Sequence, residues 1–440
     1  RGAYSMSDKK ENFEFQRYDY RYLHSAFIPS LITIFAEQNG SQSHLLVKEG
    51  DRVTEGQLIA SGFSDTVPVH SPIPGTVCAV KNCTLYDGTL AESTVIRLEG
   101  SFTFEGKTAA GETDIAFLQK RSPYSIVSQI KEAGIINTFD NTSLAAALGR
   151  DTQKSPVLGV RLFDADPSCS VDSFVTEFFT KEVFEGALLC ARSLKANAVV
   201  FFYDPKSFRI PDAAQTDRLF FGLPYFFIKT NKERYPAGSE QVLQKLTAKH
   251  AADFFKNTQA HISLFIDSNT AATAYRCLRF SLPLLDTIVE VNGSALHESK
   301  MFKVKIGTPL RRLVEECGGC ESVPSKIIVN GLIQGTAVAD LDMPVTKYLK
   351  TLTLLSSDSI PDLRTTQCIN CGFCRSVCPM GIQPDRIFDH RINNTVLPDE
   401  ILLSAHLCDN CALCNAACPA RLPLHQTVSN YKEHPYAPKV

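Results

Sequence analysis

Eight cysteines near the C-terminal end of this 440-residue chain have the residue type and spacing for metal chemistry. They form two runs, "CINCGFCRSVCP" and "CDNCALCNAACP", and both have the form C-x2-C-x2-C-x3-C-P. The first run holds Cys368, Cys371, Cys374 and Cys378, and the second holds Cys408, Cys411, Cys414 and Cys418. Two-residue spacers let one tight loop direct three sulfurs toward one centre, and the proline stops a helix from continuing through the loop.

This doubled pattern is typical of proteins that hold two [4Fe–4S] clusters, in which the fourth cysteine of each run binds the other cluster. The pattern predicts Cys368, Cys371, Cys374 and Cys418 as ligands of one cluster. It predicts Cys408, Cys411, Cys414 and Cys378 as ligands of the second. Paired clusters carry single electrons and break no bonds, so we expect an electron-transfer domain and predict no catalytic side chain.

Structural zinc and disulfides are the alternatives for these eight thiols. Soft thiolates without a histidine partner favour iron–sulfur clusters over catalytic zinc. Disulfide frameworks are typical of short secreted chains, and this chain is long and opens without a charged-then-apolar signal pattern. We therefore expect reduced thiols in a cytosolic compartment.

Composition excludes several classes of function. The hydrophobic content of 44%, the charged content of 21% and the net charge of -2 are ordinary for a soluble globular protein. They give no electrostatic footprint for nucleic acid and no polybasic patch for a lipid surface. The most apolar stretch, "GALLCARSLKANAVVFFY", is interrupted by Arg192 and Lys195, so we expect no direct membrane insertion.

The elements ahead of the cysteines predict three further parts. The stretch "SHLLVKEGDRVTEGQLIASGFSDTVPVHSPIPGTVCAV" alternates in short β-runs and is similar to the hairpin of biotinyl and lipoyl domains. Its tip, "GFSDTVPV", lacks the modifiable lysine of a carrier, so a structural β-module is expected, with His70 in a packing position. The next five stretches alternate between helix and strand, which predicts a parallel α/β unit. They are "SIVSQIKEAG", "PVLGVRLF", "SFVTEFFTKEVFEGALLCARSLKA", "NAVVFFY" and "PYFFIKT".

From "LDTIVEVNG" to "KIIVNGLIQG" the pattern of two strands, a helix and one strand is β-grasp-like. The Cys317/Cys320 pair in "CGGC" follows a helix end, where glycines commonly cap, so its role stays open. Between the two cysteine runs, "PDRIFDHRINN" and "LPDEILLSAHL" predict two short helices. The remaining cysteines are scattered and are expected to be inert.

The succession of these stretches resembles the C subunit of the Rnf electron-transport complex. The resemblance is carried by "GDRVTEGQ…VHSPIPGTV", "ERYPAGSEQVL", "VNGSALHESKMFKVKIGTPLRRLVEECGG", "NGLIQGTAVADLDMPVTK" and the two cysteine runs. It implies a peripheral protein on the cytoplasmic side of an inner (cell) membrane complex, where integral partner subunits link electron flow to sodium or proton movement. It also implies an α/β domain similar to the flavoprotein of respiratory complex I, which takes hydride from NADH onto FMN.

The resemblance gives the expected fold class: an α+β multidomain chain. We expect a barrel-sandwich β-domain at 1–115, a Rossmann-like α/β domain resembling the FMN/NADH-binding domain at 116–265, an SLBB-like β-grasp domain at 266–355 and a helical two-cluster ferredoxin domain at 356–440.

The sequence departs from the family where FMN and NADH would bind. A glycine-rich run should follow the "KEAG" helix, because only glycines let backbone N–H groups approach a phosphate closely. This chain instead reads "GIINTFDNTS", with Ile135, Ile136 and Phe139 in the interval. The family's acidic stretch after the next strand is reduced to Asp164 and Asp166 in "LFDADPSCS", and only "YPAGSE" is kept. We therefore predict that FMN and NAD(H) are not bound.

Three functional hypotheses follow from these observations. The leading one is an Rnf-type electron-transfer subunit that exchanges electrons with a protein carrier, flavodoxin or ferredoxin, in place of NADH. The second is an NADH dehydrogenase subunit with a divergent FMN site. The third is a cluster-bearing scaffold for assembly of the membrane subunits. The sequence does not indicate the direction of electron flow, the pumped ion or the cluster potentials.

Overall fold

The computed structural model describes residues 18, 20–38, 43–63, 66–104, 120–150, 155–211, 219–220, 222–231, 235–254, 261–360 and 364–433. Strand β1 (Leu23–Ser25) comes first and belongs to a sheet formed much later in the chain. The residues after it form four successive parts. The core of the second part also includes Ile288, Met301 and Ile306 of the third, and the fourth part has two small cores.

Seven short strands form the first part, a sandwich of two antiparallel sheets. They are β2 (Leu31–Phe35), β3 (Ser43–Leu45), β4 (Arg52–Val53), β5 (Leu58–Gly62), β6 (Val69–His70), β7 (Gly75–Thr84) and β8 (Leu90–Leu98). The sheet orders are β2-β8-β7-β4 and β3-β5-β6. Ile32, Ile59 and Ile96 come from both sheets and are fully buried in one shared core, as alternating strands predict. His70 is buried as expected, and the middle of the predicted tip, residues 64–65, lies outside the described residues.

The second part is a five-stranded sheet with helices on both faces. Its elements are α1 (Pro123–Ala133), β9 (Ile136–Asn137), β10 (Thr142–Ser143), α2 (Leu144–Gly149), β11 (Val157–Arg161), α3 (Val171–Phe178), α4 (Thr180–Ser193), β12 (Ala198–Tyr203), β13 (Leu219–Phe220), β14 (Leu223–Lys229), α5 (Glu240–Phe254), β15 (Leu264–Asp267) and α6 (Ser268–Phe280). The order is β13-β14-β12-β11-β15, and all pairs are parallel except β13–β14. The parallel α/β unit is therefore present.

Local sequence explains the limits of these helices. The Ser122 side chain accepts a hydrogen bond from the Ser125 N–H and caps α1, and Gly134 ends α1 in the left-handed conformation. The long helical stretch after β11 is two helices, because Phe179 leaves the helical conformation at φ -126°. Its ring packs at a centroid distance of 6.4 Å from that of Phe174, so the break keeps both rings against the core.

The third part is a six-stranded mixed sheet that includes the N-terminal strand. Its other elements are β16 (Asp286–Asn292), β17 (Lys300–Lys305), α7 (Leu310–Glu316), β18 (Lys326–Val329), β19 (Thr336–Val338) and β20 (Thr351–Leu355). The order is β1-β17-β16-β20-β18-β19, with β1–β17 and β16–β20 parallel. The predicted strands and helix are present, and β1, β19 and β20 extend the sheet.

The fourth part carries the two cysteine runs on short helices that repeat. They are α8 (Phe373–Ser376), α9 (Pro384–Asn393), α10 (Asp399–Leu403), α11 (Leu413–Ala416) and α12 (Leu424–Glu433). Each run contains a four-residue helix and is followed by a ten-residue helix. Helices α9 and α10 lie where two short helices were predicted. No helix among the described residues is both long and apolar enough to cross a bilayer.

Candidate functional site

The first predicted cysteine set surrounds one cavity. All four cysteines of the set line this cavity: Cys368, Cys371, Cys374 and Cys418. The apolar residues of its lining are Ile369, Pro419, Ala420, Leu422 and Leu424. Cys374 and Cys418 also share a hydrophobic cluster, although they come from different runs. The structure thus brings three sulfurs of one run beside the fourth sulfur of the other.

The second predicted set gathers around Cys378. This cysteine packs with Cys408 in a cluster that includes Ile382 and Val428. Burial raises the pKa of the Cys411 thiol to about 11 and that of the Cys414 thiol to about 12, and the nearby Cys378 contributes to both shifts. Cys378 is therefore close to all three cysteines with which the sequence groups it.

The donor chemistry of both sets fits a cubane better than a single ion. All eight predicted donors are cysteines, and none of the described cysteines forms a disulfide. Within the described ranges, no three His, Cys, Asp or Glu side chains converge closely enough to hold one metal ion. A [4Fe–4S] cluster takes one thiolate at each of four corners, and each predicted set supplies four cysteines. The ligand assignment itself stays a prediction.

The backbone of the two runs is nearly the same. Asn370 and Asn410 both have φ of 52°, and the positions two residues later, Gly372 and Ala412, have φ of 75° and 55°. Left-handed residues turn the chain sharply, so that the sulfurs on either side of them can point inward. The four-residue helices α8 and α11 then place the third cysteine of each run.

The two sets differ in their exposure. Cys368 and Cys371 are exposed, whereas no member of the second set is. Helix α5 and the segment before it cover the second set: the Tyr235 hydroxyl donates to the Cys411 carbonyl at 2.6 Å, and Lys245 Nζ donates to the Pro379 carbonyl at 3.1 Å. Tyr235 also packs in one cluster with Cys411 and Ile333. The second set therefore lies against the α/β part and the first set lies toward solvent.

A cleft of about 410 Å³ opens at the carboxyl end of β11. Five segments line it: residues 37–38, residues 85–87, the β9–β10 turn, the end of β11 with the residues after it as far as Asp172, and the region from Val329 to Lys350. Ligands of open α/β sheets bind at this edge. Gln334, on the cleft wall, is hydrogen-bonded to the side chain of Tyr235, so the cleft and the second cysteine set are separated by one layer of side chains.

Four charged side chains meet at this cleft: Arg161, Asp172 and Lys350 line it, and the fully buried Asp267 is paired with Lys350. Lys350 Nζ lies 2.8 Å from Asp172 Oδ2 and 2.6 Å from Asp267 Oδ2, and Arg161 lies 3.6 Å and 3.9 Å from the same two carboxylates. Burial raises the pKa of Asp172 to about 6. Burial opposes ionisation of Asp267 as well, but Lys350 and Arg161 outweigh it and hold the pKa of Asp267 at about 2. Sequence reasoning missed this group, because its members come from β11, α3, β15 and the end of the third part.

Where a glycine-rich loop was expected, the chain forms the short β9–β10 hairpin. Its backbone amides donate to the chain's own side chains: Thr138 N–H to Thr270 Oγ1 at 2.9 Å, Phe139 N–H to Asn137 Oδ1 at 3.3 Å, and Thr142 N–H to Asp140 Oδ1 at 3.1 Å. These three amides are not directed at a phosphate.

Phe139 occupies the same cleft. Its ring stacks on Phe265 at a centroid distance of 5.3 Å, and the Arg161 guanidinium carbon lies over the ring at 4.4 Å from its centroid. Arg161, at the end of β11, is thus held by an aromatic ring and two carboxylates. The bulky residue singled out in the sequence lies on the cleft wall.

The two aspartates of "LFDADPSCS" both line the cleft, and each organises local backbone. Asp164 accepts the N–H groups of Asp172 and Ser173 at the start of α3. Asp166 accepts from the Ser168, Ile333 and Gln334 N–H groups and so joins the second and third parts.

The Cys317/Cys320 pair lies away from both cysteine sets, at the end of α7. Cys317 is fully buried, and burial raises the pKa of its thiol to about 12. Burial also raises the pKa of the Cys320 thiol. An activated thiol would have a lowered pKa, which is the opposite of both shifts.

Comparison with known proteins shows which families and structures this chain is similar to. A barrel sandwich followed by a mixed α/β assembly defines a multidomain α+β protein, and residues 18–101 match the family described as the RnfC barrel sandwich hybrid domain. The C subunit of the ion-translocating oxidoreductase complex of Klebsiella pneumoniae (strain 342) is 25% identical over 374 residues, 83% of this chain and 48% of that protein. The corresponding protein of Serratia proteamaculans (strain 568) is 24% identical over 83% of this chain and 52% of that protein. These matches support an RnfC-family protein.

The chain spans about half the length of the curated relatives it matches. Among solved structures, the NAD+-reducing [NiFe]-hydrogenase in the H2-reduced state matches with a TM-score of 0.49 and 13% identity, over 74% of this chain and 64% of that one. Similarity at that level fixes neither fold nor function.

Proposed function

We propose that the protein is a peripheral electron-transfer subunit of an Rnf-type ion-translocating membrane complex, on the cytoplasmic side of the cell membrane. Two [4Fe–4S] clusters would supply one-electron chemistry. The observation that carries this proposal is the arrangement of Cys368, Cys371, Cys374 and Cys418 around one cavity, with Cys378 beside the other three cysteines. Relatives named as parts of an ion-translocating oxidoreductase complex support the assignment to such a complex.

The domain assignment belongs to the same proposal. We assign residues 1–115 to the barrel sandwich, 116–265 to the α/β domain, 266–355 to an SLBB-like β-grasp domain and 356–440 to a two-cluster ferredoxin domain. The mixed sheet with parallel β16 and β20 and the repeated helix pairs of the cysteine runs support the last two assignments.

Iron content tests the first part of the proposal. Protein purified without oxygen should contain about eight irons per chain, as two cubanes require. About four irons or fewer after anaerobic reconstitution would contradict it, as would stoichiometric zinc.

The proposal also holds that the chain binds neither FMN nor NAD(H) and exchanges electrons with flavodoxin or ferredoxin. Three amides of the expected phosphate loop donate internally, Phe139 lies in the cleft, and Asp164 and Asp166 add negative charge to its wall. Each lost hydrogen bond to a charged group weakens binding by about 1.5–3 kcal/mol. Three such losses weaken it by roughly three orders of magnitude or more.

Calorimetric titration with FMN and with NADH checks this. We expect no binding at micromolar ligand. A dissociation constant in the low micromolar range for either ligand would favour the second candidate, an NADH dehydrogenase subunit with a divergent flavin site. The size and position of the cleft favour that candidate, as does the retained "YPAGSE" segment beside it.

An absorbance spectrum before and after addition of NADH separates these two candidates on loaded protein. Bleaching of the iron–sulfur absorbance by NADH alone would support the dehydrogenase, and bleaching only by a reduced protein carrier would support the electron-transfer subunit. A cluster-bearing assembly scaffold would show neither change during turnover of the complex.

A further inference from the structure

One tyrosine of the α/β part contacts the backbone of a predicted cluster ligand. The Tyr235 hydroxyl donates to the Cys411 carbonyl at 2.6 Å. Cys411 is the second cysteine of its run and is buried, whereas Cys371, at the same place in the first run, is exposed. The two runs therefore share a backbone conformation but not their surroundings.

The contact between Tyr235 and Cys411 lies among apolar side chains. Tyr235, Cys411 and Leu413 are each at most 8% exposed, and Ile333 and Val377 pack against them in one cluster. A hydrogen bond is electrostatically stronger in such surroundings than in water, because solvent does not screen its dipole. The Tyr235 hydroxyl is thus placed to influence a charge held at Cys411.

A second side chain supports this hydroxyl from the cleft. Gln334 is hydrogen-bonded to the Tyr235 side chain, and because the hydroxyl gives its only proton to Cys411, the Gln334 amide is the donor. The Gln334 backbone N–H donates to Asp166 Oδ2 at 3.0 Å, which holds Gln334 in the cleft wall. Donation to a hydroxyl oxygen polarises the O–H bond and strengthens the next hydrogen bond. A hydrogen-bonded chain therefore runs from Gln334 through Tyr235 to Cys411.

Burial and this hydrogen bond have opposite effects on a reduced centre in the second cysteine set. Reduction adds one negative charge, which apolar surroundings disfavour. The hydrogen of the Tyr235 hydroxyl places partial positive charge beside the ligand backbone, which favours the added electron.

Resting on the proposed function, we propose that Tyr235 is a positioning residue that raises the reduction potential of the second cluster through the Cys411 carbonyl, with Gln334 as its support. Solvent favours the added electron at the first cluster, whose ligands Cys368 and Cys371 are exposed. The hydroxyl does so at the second. The two potentials then lie closer together than the difference in burial alone would leave them.

The test is a redox titration of the full chain with both clusters loaded, followed by EPR. Y235F removes the hydroxyl and keeps the ring in its apolar cluster. Q334L removes the supporting amide at similar size. The matched control is Q241L, because Gln241 Nε2 donates across the same boundary to the Leu407 carbonyl at 3.4 Å, and Leu407 is not a predicted ligand.

Two cysteine backgrounds separate the EPR signals. Under the proposed ligand assignment, C371A/C418A keeps only the second cluster and C408A/C414A keeps only the first. Y235F is titrated in both backgrounds, and iron analysis verifies the loading of each variant.

We expect Y235F to make reduction of the second cluster about three-fold or more less favourable, which is a fall of about 28 mV or more at about 59 mV per factor of ten for one electron. Q334L should lower the same potential by less. Q334L added to Y235F should change little further, since both act through one hydroxyl. The first cluster should titrate as in wild type throughout, and Q241L should leave both potentials unchanged.

Two results would overturn the inference while the proposed function stands. If Y235F keeps both clusters and the second potential is unchanged or raised, Tyr235 only joins the tail to the α/β part. If Y235F and Q241L shift both clusters alike, the cause is a loosened boundary and not the hydroxyl. Should Y235F lose iron, Q334L, which lies outside the tail, decides by the same criterion.

Failure of the proposed function has a different signature. Iron analysis of anaerobic wild type would then show fewer than two clusters, before any variant is compared. In that case the role of Tyr235 falls with the second cluster.

Discussion

At the scale of single residues, each cysteine run gives one sulfur to the opposite set. Cys418 lines the cavity of the first set and Cys378 lies near Cys414, so under the proposed assignment each half of the tail needs the other for a complete ligand set. The consequence is that damage to one run should be felt in both centres.

Pairs of cysteine substitutions test this exchange directly. C371A/C418A removes two ligands of one proposed cluster, so we expect one cluster of about four irons to remain with an unperturbed EPR signal. C371A/C378A removes one ligand from each cluster, so neither signal should match that of wild type. Anaerobic iron analysis and EPR measure both.

The same two variants also show which result would contradict an exchange of cysteines between the runs. If each run held a cluster alone, C371A/C378A would leave one intact centre and C371A/C418A would leave none. Fold-disrupting effects are controlled by C190A, which removes a buried cysteine outside both runs.

At the scale of elements, the contact between α4 and α6 depends on one glycine. A Cβ placed on Gly186 would lie 1.9 Å from the Ala271 carbonyl oxygen of α6. The two helices cover the same face of the α/β sheet and bury Val183, Ala187, Ala274 and Leu278 in one core. Any side chain at position 186 must therefore push the helices apart.

We expect G186A to lower the free energy of unfolding by about 1–3 kcal/mol or more, as overpacking of a filled core does. The matched control is G149A at the exposed end of α2, where the nearest atom would be 3.9 Å away. That change should be neutral or stabilise by about 0.4–1 kcal/mol. The two variants are compared by the urea concentrations at which they unfold. An equal loss of stability at both positions would contradict the packing argument.

How far sequence predicts these elements depends on how local their causes are. Helix α1 was predictable because Ser122 and Gly134 mark both of its ends, and the cysteine loops were predictable because their spacing is itself the signal. The break at Phe179 was not, since it follows from the position of the core and not from a Pro or Gly.

The cleft shows the same limit at the candidate site. Loss of the glycines was visible in the sequence, and the internal hydrogen bonds of the hairpin that replaces them were not. The four charged residues at the cleft are far apart in the chain, and no local pattern marks them as one group. They are Arg161, Asp172, Asp267 and Lys350. Three of these charges, Arg161, Asp172 and Asp267, would look solvated in a linear reading but are at most 4% exposed.

At the scale of the whole molecule, one lysine joins three parts. Lys347 Nζ donates to the Pro68 carbonyl of the sandwich at 2.6 Å and to the Gly134 carbonyl at the end of α1 at 2.8 Å. Its own backbone N–H donates to Gln38 Oε1 at 3.2 Å. Burial lowers the pKa of Lys347 to about 7.

This lysine makes stability depend on pH. Between pH 7 and 10.5 the unfolded chain keeps the proton on Lys347 and the folded chain does not, so stability rises with pH by up to about 1.4 kcal/mol per unit. K347M lacks this slope. From about pH 7 to 9 the stability of wild type relative to K347M should therefore increase by about 2–3 kcal/mol, measured as urea midpoints. K181M, at an exposed lysine, is the control and should follow wild type, whereas parallel curves for wild type and K347M would contradict the shift.

Removal of iron should affect the tail more than the other parts. Its helices have ten residues or fewer, and its two small cores contain several of the proposed ligands themselves. After chelation we expect trypsin to cut first within residues 364–433 while the helices and strands described between residues 23 and 355 resist, as measured by mass spectrometry. Cleavage spread evenly along the chain would show that the tail does not depend on its metal.

The N-terminal strand has a consequence for how this protein is made. Strand β1 pairs in parallel with β17, and the Tyr20 hydroxyl donates to Glu290, a residue 270 positions later. A ribosome adds about 5–20 residues per second, so β1 emerges roughly 15 to 55 s before its partner strand exists. During that interval the sandwich and much of the α/β sheet can fold, while β1 remains without its partner strand. Strand β1 is thus synthesised before these parts and placed after them.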